Sequence, residues 1–169
     1  MRIDSQKRKE LEDIYLYFFH HEKIQQMKDV EMHRGSDTFL HSFKVVKLAI
    51  KRASRHKNIN LESVLIASIL HDYYLYDWRR DKSKRKRHGK NHPFIAANNA
   101  KADFDITDEV QNIIKQHMWP INLKQFPKTK EARIVNLADD HIALQEALTS
   151  RKYKEKHKQK YMDYLSHLF

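Results

Sequence analysis

The sequence contains no cysteine, and among its 169 residues there are only two glycines and three prolines. Without cysteine, disulfides, iron–sulfur clusters, thiolate zinc sites and cysteine nucleophiles are all excluded. Hairpins and tight turns depend on glycine, so its scarcity favours an all-α fold. A dinucleotide fingerprint and a P-loop are excluded too, because Gly35 and Gly89 are far apart. The length suits one domain with a sizeable core.

Long apolar runs are also missing. Residues 1–15 are charged and lack the apolar core of a signal peptide, and no stretch approaches the length of a membrane span. We therefore expect a cytoplasmic protein with no membrane partner. The formal net charge of +11 favours anionic partners, and charge alone does not choose among nucleotides, nucleic acids and an acidic membrane surface.

Hydrophobic periodicity predicts helices throughout the chain. The stretch from Leu61 to Trp78 begins apolar on all sides, which is typical of the central helix of a bundle. The apolar part of this stretch ends at a His71-Asp72 pair. Burying such a pair costs free energy unless a partner group or an ion binds it. We expect a single domain over residues 1–169, with a core over about 37–146 and outer helices over 6–28 and 152–169. The core helices are predicted over Thr38–Arg55, Leu61 to the His71-Asp72 pair, about Pro93–Ala102, Thr107 to Pro120 and about Thr129–Ser150.

Polar residues interrupt several of the predicted apolar stripes. His117 lies seven residues after Val110 on one stripe, and Asp139 shares a helix face with apolar side chains. The neighbouring Asp140 points about 100° away, toward solvent. A single histidine in a core usually only makes hydrogen bonds. The prediction of a metal site therefore depends on several such residues occurring together. Imidazoles and carboxylates in one place suit one or two Fe, Mn, Ni, Co or Zn ions rather than Ca. The set is His41, His71, Asp72, His92, His117 and Asp139.

The order H…HD…H…H…D resembles the signature of the HD-domain metal-dependent phosphohydrolases. The flanking segments FLHSFKVVKLA, ASILHDYY and IVNLADDHIALQE are similar to that family as well. HGKNHP at residues 88–93 and HMWP at residues 117–120 resemble elements of a small bacterial subgroup. The resemblance covers about Asp37 to Glu146 and implies a helical bundle around the helix that bears the HD pair.

The resemblance also implies roles for individual residues. The expected activity is hydrolysis of a nucleotide or another phosphate ester or anhydride by metal-activated water. His88 is the expected substrate contact, and Asp72, His92 and His117 are the expected catalytic residues. Tyr73-Tyr74 follow the HD pair in place of the continuations seen in several branches, so substrate identity does not carry over. One ion is expected on His41, His71, Asp72 and Asp139, with His92 and His117 holding a second ion or contacting the phosphate.

Two alternatives remain at this stage. The basic segment Arg79–Arg87 would draw in an anionic substrate, but it equally suits a non-catalytic, metal-containing module that binds nucleotides or RNA. A purely structural bundle is disfavoured, because Asp72 and Asp139 would then be buried without partners. The preferred partner is an anionic small molecule, most simply a nucleotide. The aromatic helix at residues 152–169 offers a possible dimer contact.

Overall fold

The computed structural model describes residues 3–32, 36–79 and 86–169, and every regular element within these ranges is helical. The predicted all-α fold is thus confirmed. No helix in this part of the chain is long and apolar enough to cross a membrane. A short 3-10 turn, Gln26–Asp29, follows the second helix. The α-helices are α1 Ser5–His20, α2 Glu22–Gln25, α3 Thr38–Ala53, α4 Leu61–Leu70, α5 His88–Phe104, α6 Asp108–Gln116, α7 Lys130–Leu148 and α8 Arg151–Leu165.

Helix α4 is the central helix, as its composition predicts. Its apolar side chains are fully buried except those of Leu61 and Ile66, which are partly buried, and it packs against α1, α3, α5, α6 and α7. Such a helix needs a partner on every face, which explains why five others surround it. The helix ends at Leu70, and His71 is its C-cap residue. The His71-Asp72 pair therefore lies at the C-terminal end of the central helix, where the surrounding helices can reach it.

Side-chain caps fix the starts of three of these surrounding helices. Asp37 Oδ1 accepts a hydrogen bond of 2.7 Å from Leu40 N at the start of α3. Thr107 caps α6, and Thr129 caps α7. All three helix starts agree with the prediction from the sequence. Each cap satisfies backbone donors that would otherwise lack partners, and so defines where its helix begins.

Other helix limits differ from those predicted. The first helix is broken at His21, where the backbone is extended and the imidazole Nδ1 accepts from Lys23 N, capping α2. Helix α5 begins at His88, so Pro93 lies in its second turn instead of its first. Proline fits helical φ, and its missing donor affects only the carbonyl of Gly89 in the opening turn. Helix α6 ends at Gln116, before the expected Pro120.

The C-terminal end of α8 is anchored to α1 by a buried hydrogen bond. Tyr15 Oη donates to the carbonyl oxygen of Leu165 over 2.6 Å. Replacing Tyr15 with Phe leaves that carbonyl unpaired, so Tyr15→Phe should lower the free energy of unfolding by about 1–3 kcal/mol, measured by urea denaturation. Tyr17→Phe, at a residue that is 57% exposed, is the matched control. Equal stability of the two variants would contradict the anchoring role.

Candidate metal centre

The six residues singled out in the sequence come together at the end of α4. All are buried, with at most 5% of any one exposed. They arrive from α3, the end of α4, α5, the end of α6, and α7, so each contributing segment packs beside the central helix. The six are His41, His71, Asp72, His92, His117 and Asp139.

They form two groups of three. In the first group, Asp139 Oδ1 lies 2.9 Å from His41 Nε2 and 3.6 Å from His71 Nε2. In the second, the Nε2 atoms of His92 and His117 lie 3.0 Å apart. Within each group the potential ligand atoms all lie within 4.8 Å of one another. Each group therefore has the size of a single-ion site.

Asp72 joins the two groups. Its Oδ2 is 3.3 Å from His71 Nε2, in the first group, and its Oδ1 is 3.2 Å from His92 Nε2, in the second. The sequence prediction placed Asp72 with the first ion alone. The geometry places one of its oxygens toward each group, as a carboxylate shared by two ions would be.

The histidine rings are oriented through their Nδ1 atoms. His71 Nδ1 donates to Ser68 O over 2.8 Å, and His92 Nδ1 donates to His88 O over 3.0 Å. His117 Nδ1 makes the same kind of bond, 2.7 Å long, to a carbonyl of its own helix. Because a carbonyl only accepts, each Nδ1 carries the proton, and in the neutral ring Nε2 is left with a lone pair. In the neutral form of each ring this lone pair points into the centre, as metal ligation requires.

Burial and the neighbouring charges act in opposite directions on the pKa values of the centre. Burial opposes a charge on His41, but hydrogen bonds with Asp139 and Glu146 outweigh burial and raise its pKa to about 9. Burial also opposes a charge on His71, yet Asp72 and Asp139 raise its pKa well above the ordinary value. Both aspartates have lowered pKa values despite burial, because histidines surround them. The carboxylates are thus ionised and attract positive charge.

Some buried polar atoms of the centre have no hydrogen-bond partner among the described residues. They are His71 Nε2 and both oxygens of Asp72. An ionised carboxylate buried in this way is costly unless a cation compensates for it. Imidazole nitrogens and carboxylate oxygens are ligands that first-row divalent metals accept. The residues present therefore fit one or two divalent transition-metal ions.

Glu146 is a part of the centre that sequence reasoning missed. It is 3% exposed, and its Oε2 accepts from His41 Nδ1 over 3.0 Å. Its Oε1 accepts from Ser36 Oγ at 3.0 Å and from Lys44 Nζ at 2.8 Å. Glu146 thus orients the ring of His41 by accepting from its Nδ1, as local backbone carbonyls do for the other three rings. It lies seven residues after Asp139 on the same helix face, which is the signal that could have revealed it.

Asn136 is the second missed residue. It is 2% exposed on α7, and its Nδ2 donates to the carbonyls of His117, over 2.5 Å, and Trp119, over 2.7 Å. These bonds fix the chain just after α6, where His117 projects into the centre. One helix therefore supplies a carboxylate of the centre in Asp139 and also positions two of its histidines, His117 through Asn136 and His41 through Glu146.

His88 lies beside the centre without belonging to either group. Its ring stacks between those of Trp78, 4.7 Å away, and His92, 4.6 Å away, and its Nδ1 is 3.0 Å from Tyr76 Oη. Burial and the charge of His92 lower its pKa to about 4. The aromatic residues after Asp72 differ in burial. Tyr73 and Tyr74 are buried, whereas Tyr76 and Trp78 are half-buried and contact His88.

Comparison with known proteins identifies the family. Residues 38–144 match the model of the HD domain, so the chain belongs to the HD domain family. Most members of this family are metal-dependent hydrolases. Neither the curated proteins nor the solved structures gave a match. The matched range contains all six residues of the centre, and Glu146 lies two positions beyond it.

The Glu146 contact predicts an effect on metal affinity. Glu146→Gln keeps the shape of the side chain but removes the charge that orients His41, so affinity for Mn²⁺ should fall about tenfold or more. Isothermal titration calorimetry of the metal-free protein measures this. Glu155→Gln, an exposed residue paired with Arg151, is the control and should bind Mn²⁺ normally. Equal affinities in the two variants would contradict a positioning role for Glu146.

The raised pKa of His41 predicts a pH dependence of metal binding. Below about pH 9 the metal-free protein holds a proton on this imidazole that an ion at Nε2 must displace. Affinity for Mn²⁺ should therefore rise between about pH 7 and 9, by about tenfold per pH unit for each displaced proton, and be lost as the pH falls. Calorimetry in two buffers of different ionisation enthalpy counts the released protons. Binding without proton release would contradict the assignment of His41.

Proposed function

We propose that the protein is a metal-dependent phosphohydrolase that acts on a phosphate ester or anhydride, most simply of a nucleotide. The main support is the convergence of four buried imidazoles and two buried carboxylates in a chain of the HD domain family. His71 Nε2 and both oxygens of Asp72 have no hydrogen-bond partner in the described part of the chain. The net charge of +11 matches an anionic substrate.

In this proposal the two groups of residues in the centre have different roles. His41, His71 and Asp139 would hold one ion, and His92 and His117 would hold a second ion or contact the scissile phosphate. Asp72 would serve both groups through its two oxygens. Divalent metals bound by such ligands lower the pKa of water and neutralise charge on a phosphoryl group, which is the chemistry that phosphoester hydrolysis needs.

The protein's own residues would orient the reactants and move protons. Where a single ion is bound, one oxygen of Asp72 would hold it and the other would accept a proton from the attacking water, since both oxygens lack hydrogen-bond partners among the described residues. Where no second ion is bound, His92, which stacks on His88, would in its protonated form donate the Nε2 proton to the leaving oxygen and keep the Nδ1 proton. His88, kept neutral by its lowered pKa, suits hydrogen-bond donation to a substrate oxygen rather than proton transfer.

The basic segment Arg79–Arg87 would attract the substrate, although its residues 80–85 lie outside the described part of the chain. Arg79 itself is engaged elsewhere. Its guanidinium donates to the carbonyls of Glu31 and Met32 and lies over the ring of Trp78. Arg79 therefore ties this end of the segment to the chain before α3, and the remaining arginines and lysines would provide the attraction.

Metal content and hydrolysis, measured together, test the proposal. The purified protein should carry a transition metal and hydrolyse at least one member of a panel of nucleotides and phosphodiesters. His71→Ala and Asp72→Asn should each remove the metal and lower hydrolysis about a hundredfold or more, because each removes a group that holds the ion. Inductively coupled plasma mass spectrometry gives the metal content, and phosphate release gives the rate.

Matched controls separate loss of the centre from general damage. His56→Ala and Asp163→Asn change the same residue types at exposed positions outside the centre, and should keep both metal and activity. Circular dichroism checks that every variant is folded. Full hydrolysis after chelation of the metal would contradict the proposal. Tight metal binding with no hydrolysis across the panel would favour the alternative of a non-catalytic binding module.

A further inference from the structure

The loop that joins α6 to α7, residues 118–129, exposes large apolar side chains. Leu123 is 75% exposed, Ile121 is 62% exposed and Phe126 is 48% exposed. The loop begins directly after His117, so it lies beside the candidate metal centre. A single apolar side chain at a surface is ordinary, but several in one short loop indicate a surface that binds a partner. We refer to residues 118–129 as the apolar loop.

The backbone of the apolar loop is held by local hydrogen bonds. Asn122 N donates to Met118 O over 2.8 Å, and Gln125 N donates to Asn122 O over 2.9 Å. The rings of Trp119 and Phe126 meet edge to face, with their centres 5.4 Å apart. The loop therefore satisfies its backbone internally and presents its remaining apolar side chains outward from an ordered turn.

Positive charge accompanies the apolar loop. Residues 110–130, which contain it, and residues 82–102 have no Asp or Glu. The two segments meet at Gly89, where an added Cβ would lie 3.6 Å from Ile121 Cγ2. In the described part of these segments, the exposed basic residues are Lys86, Arg87, Lys90, Lys124, Lys128 and Lys130.

The nearest acidic residue along the chain does not offset this charge. Glu131 follows the loop, but its Oε1 accepts from Asn60 N over 3.1 Å. Asn60 is the N-cap of α4, at the opposite end of that helix from the centre. The surface formed by the apolar loop and the start of α5 therefore combines exposed aliphatic groups with a net positive charge.

We propose that this surface docks on an anionic lipid bilayer, with the apolar loop entering the headgroup region. Interfacial binding combines burial of apolar side chains with attraction of Lys and Arg to anionic headgroups, and this surface offers both. The expectation of no membrane partner came from the lack of a spanning segment, which a peripheral contact does not need.

Other partners fit this surface less well. In a symmetric dimer through the apolar loop, Lys124 and its neighbouring cations would oppose those of the second copy. Nucleic acid stacks its bases on open aromatic faces, and the side chains of Leu123 and Ile121 have none. The ring of Phe126 already faces the Arg133 guanidinium, 5.8 Å from its centre. The most exposed apolar groups are thus aliphatic, which suits insertion among lipids.

Co-sedimentation of the chelated, full-length protein with vesicles tests this proposal. Vesicles of phosphatidylcholine with about 30% phosphatidylserine should bind the protein about tenfold or more tightly than pure phosphatidylcholine vesicles, because anionic headgroups attract the lysines. Leu123→Gln should weaken binding to the anionic vesicles about tenfold, because an inserted apolar group is lost. Lys124→Gln should weaken it about fivefold. No metal or hydrolysis is involved, so the outcome is independent of the proposed function.

The controls carry the same changes at exposed positions away from the apolar loop. Leu148 is 79% exposed at the last position of α7, and Lys9 is exposed on α1. Leu148→Gln and Lys9→Gln should each bind anionic vesicles within about twofold of the unmodified protein, because neither lies at the docking surface.

Two results would overturn the proposal. One is equal vesicle binding by Leu123→Gln and Leu148→Gln, or no binding to anionic vesicles at all. The other is a Leu123→Gln variant that loses affinity for a single-stranded RNA while its vesicle binding is unchanged, which would assign the surface to nucleic acid. If Leu123→Gln fails to fold, Lys124→Gln against Lys9→Gln decides.

Discussion

The burial of Asp72 and Asp139 is the constraint on which the rest of the structure depends. Removing an ionised carboxylate from water costs several kcal/mol, and the cost is recovered only through close positive partners. In this chain four imidazoles from separate helical segments surround the two carboxylates, and His41 and His71, whose pKa values are raised, carry the positive charge in the metal-free protein. Each helix must therefore meet α4 at its C-terminal end, where His71 and Asp72 lie. The apolar faces of α4 bring the helices together, and the charges at its end determine which of their residues meet there.

Three of the four imidazoles are oriented locally and one is not. His71, His92 and His117 each donate to a carbonyl three or four residues earlier, so the helix itself presets the ring. His41 depends instead on Glu146, 105 residues further along the chain. The tautomer of His41 is therefore determined by tertiary structure, because Glu146 reaches this ring only when α3 packs against α7. The packing of these two helices and the quality of the centre are thus coupled, because a displaced Glu146 would leave His41 without its orienting partner.

Sequence reasoning reached the residues that interrupt an apolar pattern. His117 and Asp139 were found because each occupies a position of a helical stripe where an apolar side chain is expected, and both are buried. Glu146 was missed because a glutamate near the end of a helix is usually solvated, although its position on the helix face of Asp139 indicated that it is buried. The predicted start of α5 was too late, because proline is common in the first turn of a helix. The observed helix begins earlier in the chain, at His88, whose ring stacks on that of Trp78. Periodicity shows which face of a helix is buried. It does not show which polar group from a distant part of the chain contacts that face.

Glu146 also joins the candidate metal centre to a neighbouring lysine of α3. One of its oxygens accepts from His41 and the other accepts from Lys44, so the negative charge is divided between them. The charge that remains on the His41 side makes the imidazole a more basic ligand at Nε2. A neutral glutamine at this position has one acceptor oxygen for these two donors, so it keeps only one of the two contacts and brings no charge to either. The strength of His41 as a ligand and the contact with Lys44 therefore depend on the same carboxylate.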